Sequence, residues 1–367
     1  MEKKETVYLK GLNGLRAIAA LLILIGHTTS FIKMEGRDLP ELIIGFDGVT
    51  LFFVISGFLI TFLLLKEKHK TNDVHVGKFY LRRILRIWPI YYLFLLIGLI
   101  ISLIDAKYVG SFTDNSIYFY LFFAANIPFI FQQAIPLIAH YWSIGVEEQF
   151  YLMWPWFMKI NKTGLITKIV VFIIAFFVIK SLLWRFMGND YWLYDFMSVT
   201  RFHCMLLGAL GAVLYYQKTK WFISFCSNAL VQWITWILAA CIAVGILKLP
   251  APLTSEVTAI LSLIIIIGQV QTDHKVIFNL EREWFDFLGK ISYGIYLIHP
   301  FVILMFIYLY SNINLETELF TALLYVSVLV TTILVSYISY QYYEKPFLKL
   351  KTSFTVVKSS ASKHESQ

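Results

Sequence analysis

From about residue 13 to residue 341 one apolar run of helix-spanning length follows another, with only short polar and basic stretches between them. That recurrence constrains the fold more than any motif. Crossing a bilayer takes roughly 20 apolar residues in an α-helix. Hydrocarbon offers no partner to a backbone N–H or C=O, so only helices and closed barrels can span it. Ten helices fit, at about 13–33, 45–65, 88–104, 143–158, 169–187, 200–217, 228–247, 254–270, 287–310 and 318–341. The expected fold class is an all-α integral membrane protein.

Composition agrees. Of the 367 residues 59% are hydrophobic and 15% charged, which leaves no room for a separate soluble domain. Ten Trp and 22 Tyr suit the aromatic belts at the two membrane surfaces. Residues 1–350 read as one membrane unit, and 351–367 as a polar cytoplasmic tail without fixed structure. The first apolar run is longer than a signal-peptide core, carries Arg16 and His27, and precedes no small-residue cleavage site. It reads as a retained first helix.

The net charge of +8 would suit a nucleic-acid partner, but its distribution excludes one. With the N-terminus in the cytoplasm, 23 of the 31 Lys and Arg fall in cytoplasmic segments against six outside, and both termini are then cytoplasmic. The stretch 105–142 resists placement. It is apolar in the middle but interrupted by Asn126, Pro128 and Pro136, and a full span there would invert the charge bias. The expectation is one external re-entrant or interfacial segment, with non-helical backbone buried in protein or lining a cavity. Cys204, Cys226 and Cys241 have neither metal-ligand spacing nor a disulfide framework, so no metal site is expected and the three read as packing residues.

Four polar constellations interrupt the apolar pattern. Arg16 and His27 are eleven residues apart, so one helical face carries both, separated by about 16 Å, with Asn13 near that face. An ionisable group at membrane depth points to function, and a neutral imidazole there can serve as a base. The bland reading is a snorkelling arginine and a hydrogen-bonded packing histidine. Asp47, at the start of the second helix, can orient the His27 ring or simply cap its helix. Arg82, Arg83 and Arg86 gather on adjoining faces of a cytoplasmic helix, as a phosphate site or as an anchor to lipid headgroups. Ser143, Glu147 and Tyr151 form one stripe. There Glu147 contacts sugar hydroxyls, orients His27, or makes a structural salt bridge, with Arg201 as the candidate partner. Arg201 with His203, and His299 before Pro300, are weaker. His299 reads first as a partner of the kinked backbone.

Taken together the chain resembles the membrane-bound acyltransferase-3 family. The Arg16-x10-His27 spacing, Phe52 to Phe58 (FFVISGF), Arg83-x-x-Arg86, Trp142 to Pro155 (WSIGVEEQFYLMWP), Ser292 to Phe301 (SYGIYLIHPF) and Tyr343 to Phe347 (YEKPF) follow that family's motifs in order. The resemblance covers residues 11 to about 350. It implies transfer of an acetyl or other short acyl group from cytoplasmic acetyl-CoA to a hydroxyl of an envelope or exported carbohydrate or glycolipid. The setting implied is the bacterial cytoplasmic membrane. Arg82, Arg83 and Arg86 would receive the CoA, His27 would act as general base or acyl carrier, and Arg16 would bind CoA or stabilise developing charge. Glu147 would orient a partner or contact the acceptor. Some relatives carry a hydrolase-like C-terminal domain. The expectation here is that the membrane unit either completes the transfer alone or passes the acyl group to a separate extracytoplasmic partner. The rival reading is a multi-pass transporter of a lipid-linked or acidic solute, since intramembrane Arg, His and Glu also mark transport paths. A catalytically silent subunit is the third.

Overall fold

The computed structural model describes residues 6–34, 46–104, 116–161, 163–188, 191–271, 277–311, 313 and 316–360. A short strand, β1 (Thr6–Tyr8), leads into α1 (Leu12–Met34), followed by α2 (Gly48–Thr71) and α3 (Val76–Ile104). Two short helices, α4 (Ser116–Leu121) and α5 (Asn126–Ile130), and a 3-10 turn (Pro136–Ile138) precede α6 (Tyr141–Ile160). Next come α7 (Leu165–Met187), α8 (Trp192–Thr200), α9 (Phe202–Tyr216), α10 (Lys220–Ser227), α11 (Ala229–Ala243) and α12 (Ala251–Val270). The chain closes with α13 (Glu283–Lys290), α14 (Ser292–Ser311), α15 (Thr317–Ser339), a π-helical turn (Tyr340–Glu344), α16 (Lys345–Lys351), a 3-10 turn (Thr352–Phe354) and β2 (Lys358–Ser360).

Among the described residues eight helices are long and apolar enough to cross a membrane, counting α8 with α9 and α15 with its continuation. The α10–α11 pair, bent by 58°, makes a ninth. The tenth segment expected from the sequence, α6, has the length but not the hydropathy, because it carries Glu147, Glu148 and Gln149. Its Ser143, Glu147 and Tyr151 line an internal cavity, where polar side chains have something to meet.

The broken stretch behaves as its prolines and Asn126 suggest. Residues 105–115 lie outside the described residues, and none of the helices between 116 and 140 is long enough to cross. Their irregular backbone is satisfied partly from the bundle and partly from within the stretch. Tyr91 donates to the Tyr120 carbonyl at 2.6 Å and Gln149 to the Phe123 carbonyl at 3.1 Å, while Ile135 N–H donates to the Tyr120 hydroxyl of α4 at 3.0 Å. Such backbone is tolerated at depth only under these conditions.

The tightest helix pair is α2 against α9. A Cβ on Gly57 would stand 1.9 Å from the Met205 carbonyl oxygen, and one on Gly208 would stand 2.1 Å from that of Val54. Small residues that let two backbones approach are how helices associate where lipid is as apolar as the partner.

The tail is the clear departure from expectation. Residues 352–360 do not hang free: β2 pairs in parallel with β1, Thr6 opposite Lys358 and Tyr8 opposite Ser360. Residues 361–367 lie outside the described residues. Polar composition concealed this docking, because a three-residue strand leaves no periodic signature.

Candidate functional site

Helices α1, α2, α3, α6 and α14 surround a cavity. Arg16 reaches it from α1, Ser56 from α2, Arg83 and Arg86 from α3, Glu147 from α6 and Tyr296 from α14. A second cavity shares Leu59, Ile60, Arg83 and Arg86 with the first and adds Glu67, Arg82 and Lys351.

The three arginines do not behave alike. Successive helical residues turn by about 100°, so Arg82 faces away from the first cavity. It donates to Glu67 at 2.9 Å and to the Phe354 carbonyl at 3.0 Å. Arg83 lies over the rings of Phe79 and Tyr151, with its guanidinium carbon 5.4 and 5.1 Å from their centroids. Its Nε is buried without a hydrogen-bond partner among the described residues. Arg86 lines both cavities. Arg16 donates to Asn13 Oδ1 at 3.3 Å, and Asn13 in turn donates to Asp286 at 2.7 Å.

Glu147 accepts from Ser56, and from Tyr151 at 2.7 Å, the residue one turn on. The salt bridge to Arg201 considered from the sequence is not what forms. Arg201 is paired with Asp47 instead. Asp47 caps α2, accepting from Val49 N–H at 2.9 Å and from the Thr50 hydroxyl at 2.9 Å. Of the two readings of Asp47 the structure shows the cap, and no hydrogen bond joins it to His27 among the described residues.

The partner of the His27 ring is His299, 272 positions away. His27 Nδ1 lies 2.7 Å from His299 Nε2, and His299 Nδ1 lies 3.0 Å from the Ile295 carbonyl. This chain fixes the tautomers. A carbonyl only accepts, so His299 carries its proton on Nδ1 and accepts at Nε2, and His27 must then donate from Nδ1. The lone pair of His27 is left on Nε2, which makes no hydrogen bond among the described residues. Sequence reasoning gave His299 its backbone contact but not this one. The stripe Ser292, Tyr296, His299 on α14 was the available signal.

His27 is not among the residues lining the cavity. Tyr296 connects the two. It lines the cavity, its hydroxyl lies 2.5 Å from Ser143 Oγ, and its ring centroid is 5.9 Å from that of His299. The site thus has an arginine end and a histidine end, joined through α14.

A bundle of membrane-crossing helices enclosing arginines, a glutamate and a histidine pair narrows the function without naming it. The match to family models decides it: the family described as Acyltransferase domain, acyltransferase-3, matches residues 9–341. The chain belongs to this family. A Staphylococcus aureus (strain COL) protein named "Putative O-acetyltransferase" is 28% identical over 94% of this chain and 58% of its own length. The O-acetyltransferase OatA of Staphylococcus aureus (strain NCTC 8325) is 35% identical over 40% of this chain and 24% of its own. The chain thus spans a little over half the length of the first of these relatives. No solved structure matches it. The relatives' names are those of O-acetyltransferases.

Proposed function

We propose that the protein moves an acetyl or other short acyl group from cytoplasmic acyl-CoA to a hydroxyl of an envelope or exported carbohydrate, in the bacterial cytoplasmic membrane. The observation that carries this reading is the hydrogen-bond chain that leaves His27 Nε2 as an unprotonated, unengaged base. A general base must present a free lone pair and be held in one orientation, and His299 supplies the second condition. The arginine end suits the donor: Arg83 and Arg86 make no ion pair among the described residues, and Arg83 Nε has no partner. Phosphate oxygens are the acceptors that guanidinium groups match best.

In the proposed reaction His27 Nε2 takes the proton of the acceptor hydroxyl as its oxygen attacks the thioester carbonyl. The C–S bond breaks, and the imidazolium returns its proton to the departing thiolate. Arg16, which lines the cavity, would stabilise negative charge on the donor. Glu147 holds Ser56 and Tyr151 in place at the cavity wall.

The test is transfer in native membranes from radiolabelled acetyl-CoA to the host's envelope glycans, comparing wild type with a folded His27→Ala protein. Base-labile label on glycan from wild type and none from His27→Ala is expected. Equal labelling from both would overturn the role of His27. Counterflow of an unmodified solute, with no label, would favour the transporter.

A further inference from the structure

The second cavity is walled by the segment that composition marks as a tail. Lys351, Thr355 and Val357 line it with Arg82, Arg83 and Arg86. The segment is latched there. Arg82 donates to the Phe354 carbonyl at 3.0 Å, Thr355 donates to the Lys351 carbonyl at 3.0 Å, and Val357 is 6% exposed. Pairing of β2 with β1 secures its end.

The ionisable groups around this cavity are four cations and one carboxylate. Arg82 uses the carboxylate, Glu67, at 2.9 Å. Among the described residues Arg83, Arg86 and Lys351 make no ion pair. Half-buried like charges gathered around one space repel each other unless an anion fills it. The neighbouring lysines differ. Lys349 is exposed, and Lys345 is engaged by Gln341 at 2.6 Å; neither lines the cavity. Anchoring to headgroups does not require Lys351 to turn inward beside three arginines.

The geometry points to Lys351 as a ligand for the phosphate groups of the acyl donor, with the docked C-terminal segment forming one wall of the donor site. This inference rests on the acyl-CoA reading above. An ammonium on a flexible stem is a mobile point charge that complements the planar guanidiniums. Arg82 serves as the latch that holds the wall and is not a free ligand.

The test is calorimetric titration of the full chain in phosphatidylcholine nanodiscs with CoA and with pantetheine, which lacks the phosphates. Lys351→Gln should weaken CoA binding at least tenfold and leave pantetheine unchanged. Lys351→Arg should stay within about threefold, and Lys349→Gln should match wild type. Size exclusion and thermal melting check folding, and Lys351→Met gives the same reading should the Gln variant not fold. Unchanged CoA affinity in Lys351→Gln, with binding weakened in Arg86→Gln, overturns the inference and leaves the donor reading intact. Absence of CoA binding by wild type overturns both. Loss of co-purifying phosphatidylglycerol without a change in CoA affinity assigns Lys351 to a lipid headgroup and also overturns the inference.

Discussion

Two groups of buried charge lie in this bundle, and they are built on opposite principles. On the α7, α9 and α12 side every charge is answered. Lys180, 1% exposed, donates to Glu256 at 2.9 Å and to Ser255 at 3.0 Å, and His203 Nε2 lies 3.2 Å from the same carboxylate. Asp47 and Arg201 are likewise paired. Around the second cavity, in contrast, Arg83, Arg86 and Lys351 share one space with a single carboxylate, Glu67, that Arg82 already occupies. A closed set of charges holds helices together, whereas an open one is ready for a ligand. The two groups differ in their degree of pairing.

That difference can be broken from either side. Breaking the closed group should have the largest effect. Glu256→Gln leaves Lys180 buried without a counter-charge and should cost about 3–5 kcal/mol of stability, read as a lowered melting temperature in detergent. The histidine pair comes next. His299→Phe removes the acceptor that fixes the His27 tautomer, and transfer should fall about 10²-fold with CoA affinity unchanged. In the open group, Arg86→Gln should weaken CoA binding about tenfold while the melting temperature holds or rises, because a like-charge repulsion is removed. The smallest effect belongs to Asp73 in the α2–α3 turn. Its hydrogen bonds from Lys159 and from the Val74 N–H hold the carboxyl below its ordinary range. A group lowered on folding contributes stability above its unfolded value and loses it as the pH falls through the folded one. Asp73→Asn should therefore leave CoA binding unmoved, lower the neutral-pH melting temperature only slightly because the pair is exposed, and slightly blunt the loss of stability below about pH 4.

The sequence shows the helices well because hydropathy is a local property. Each of the ten apolar runs contains a helix, although the run 287–310 is broken at Ile291 between α13 and α14, and the proline-broken stretch from 116 to 140 is broken in the structure too. The cavity residues Arg16, Arg83, Arg86 and Glu147 were legible for the same reason, as polar groups conspicuous on apolar helices. Pairings were not legible. His27 with His299 and Asp47 with Arg201 join residues 272 and 154 positions apart, and which side chains meet depends on how helices rotate against one another. The role of Arg82 was obscured likewise: in sequence it is the twin of Arg83, yet one turn step of about 100° sends it to Glu67 and Phe354. The docked C-terminal segment left no signal, because its partners, Arg82 and β1, are far away in the chain.

The most direct test of the account separates binding from chemistry at the two ends of the site. CoA affinity and the single-turnover rate of acyl transfer would be measured on one folded preparation of His27→Asn. The account predicts CoA bound within about twofold of wild type and transfer slowed about 10²–10⁴-fold, the loss expected for removal of a general base. A His27→Asn protein that transfers at the wild-type rate, or whose defect is entirely a loss of CoA binding, would contradict it.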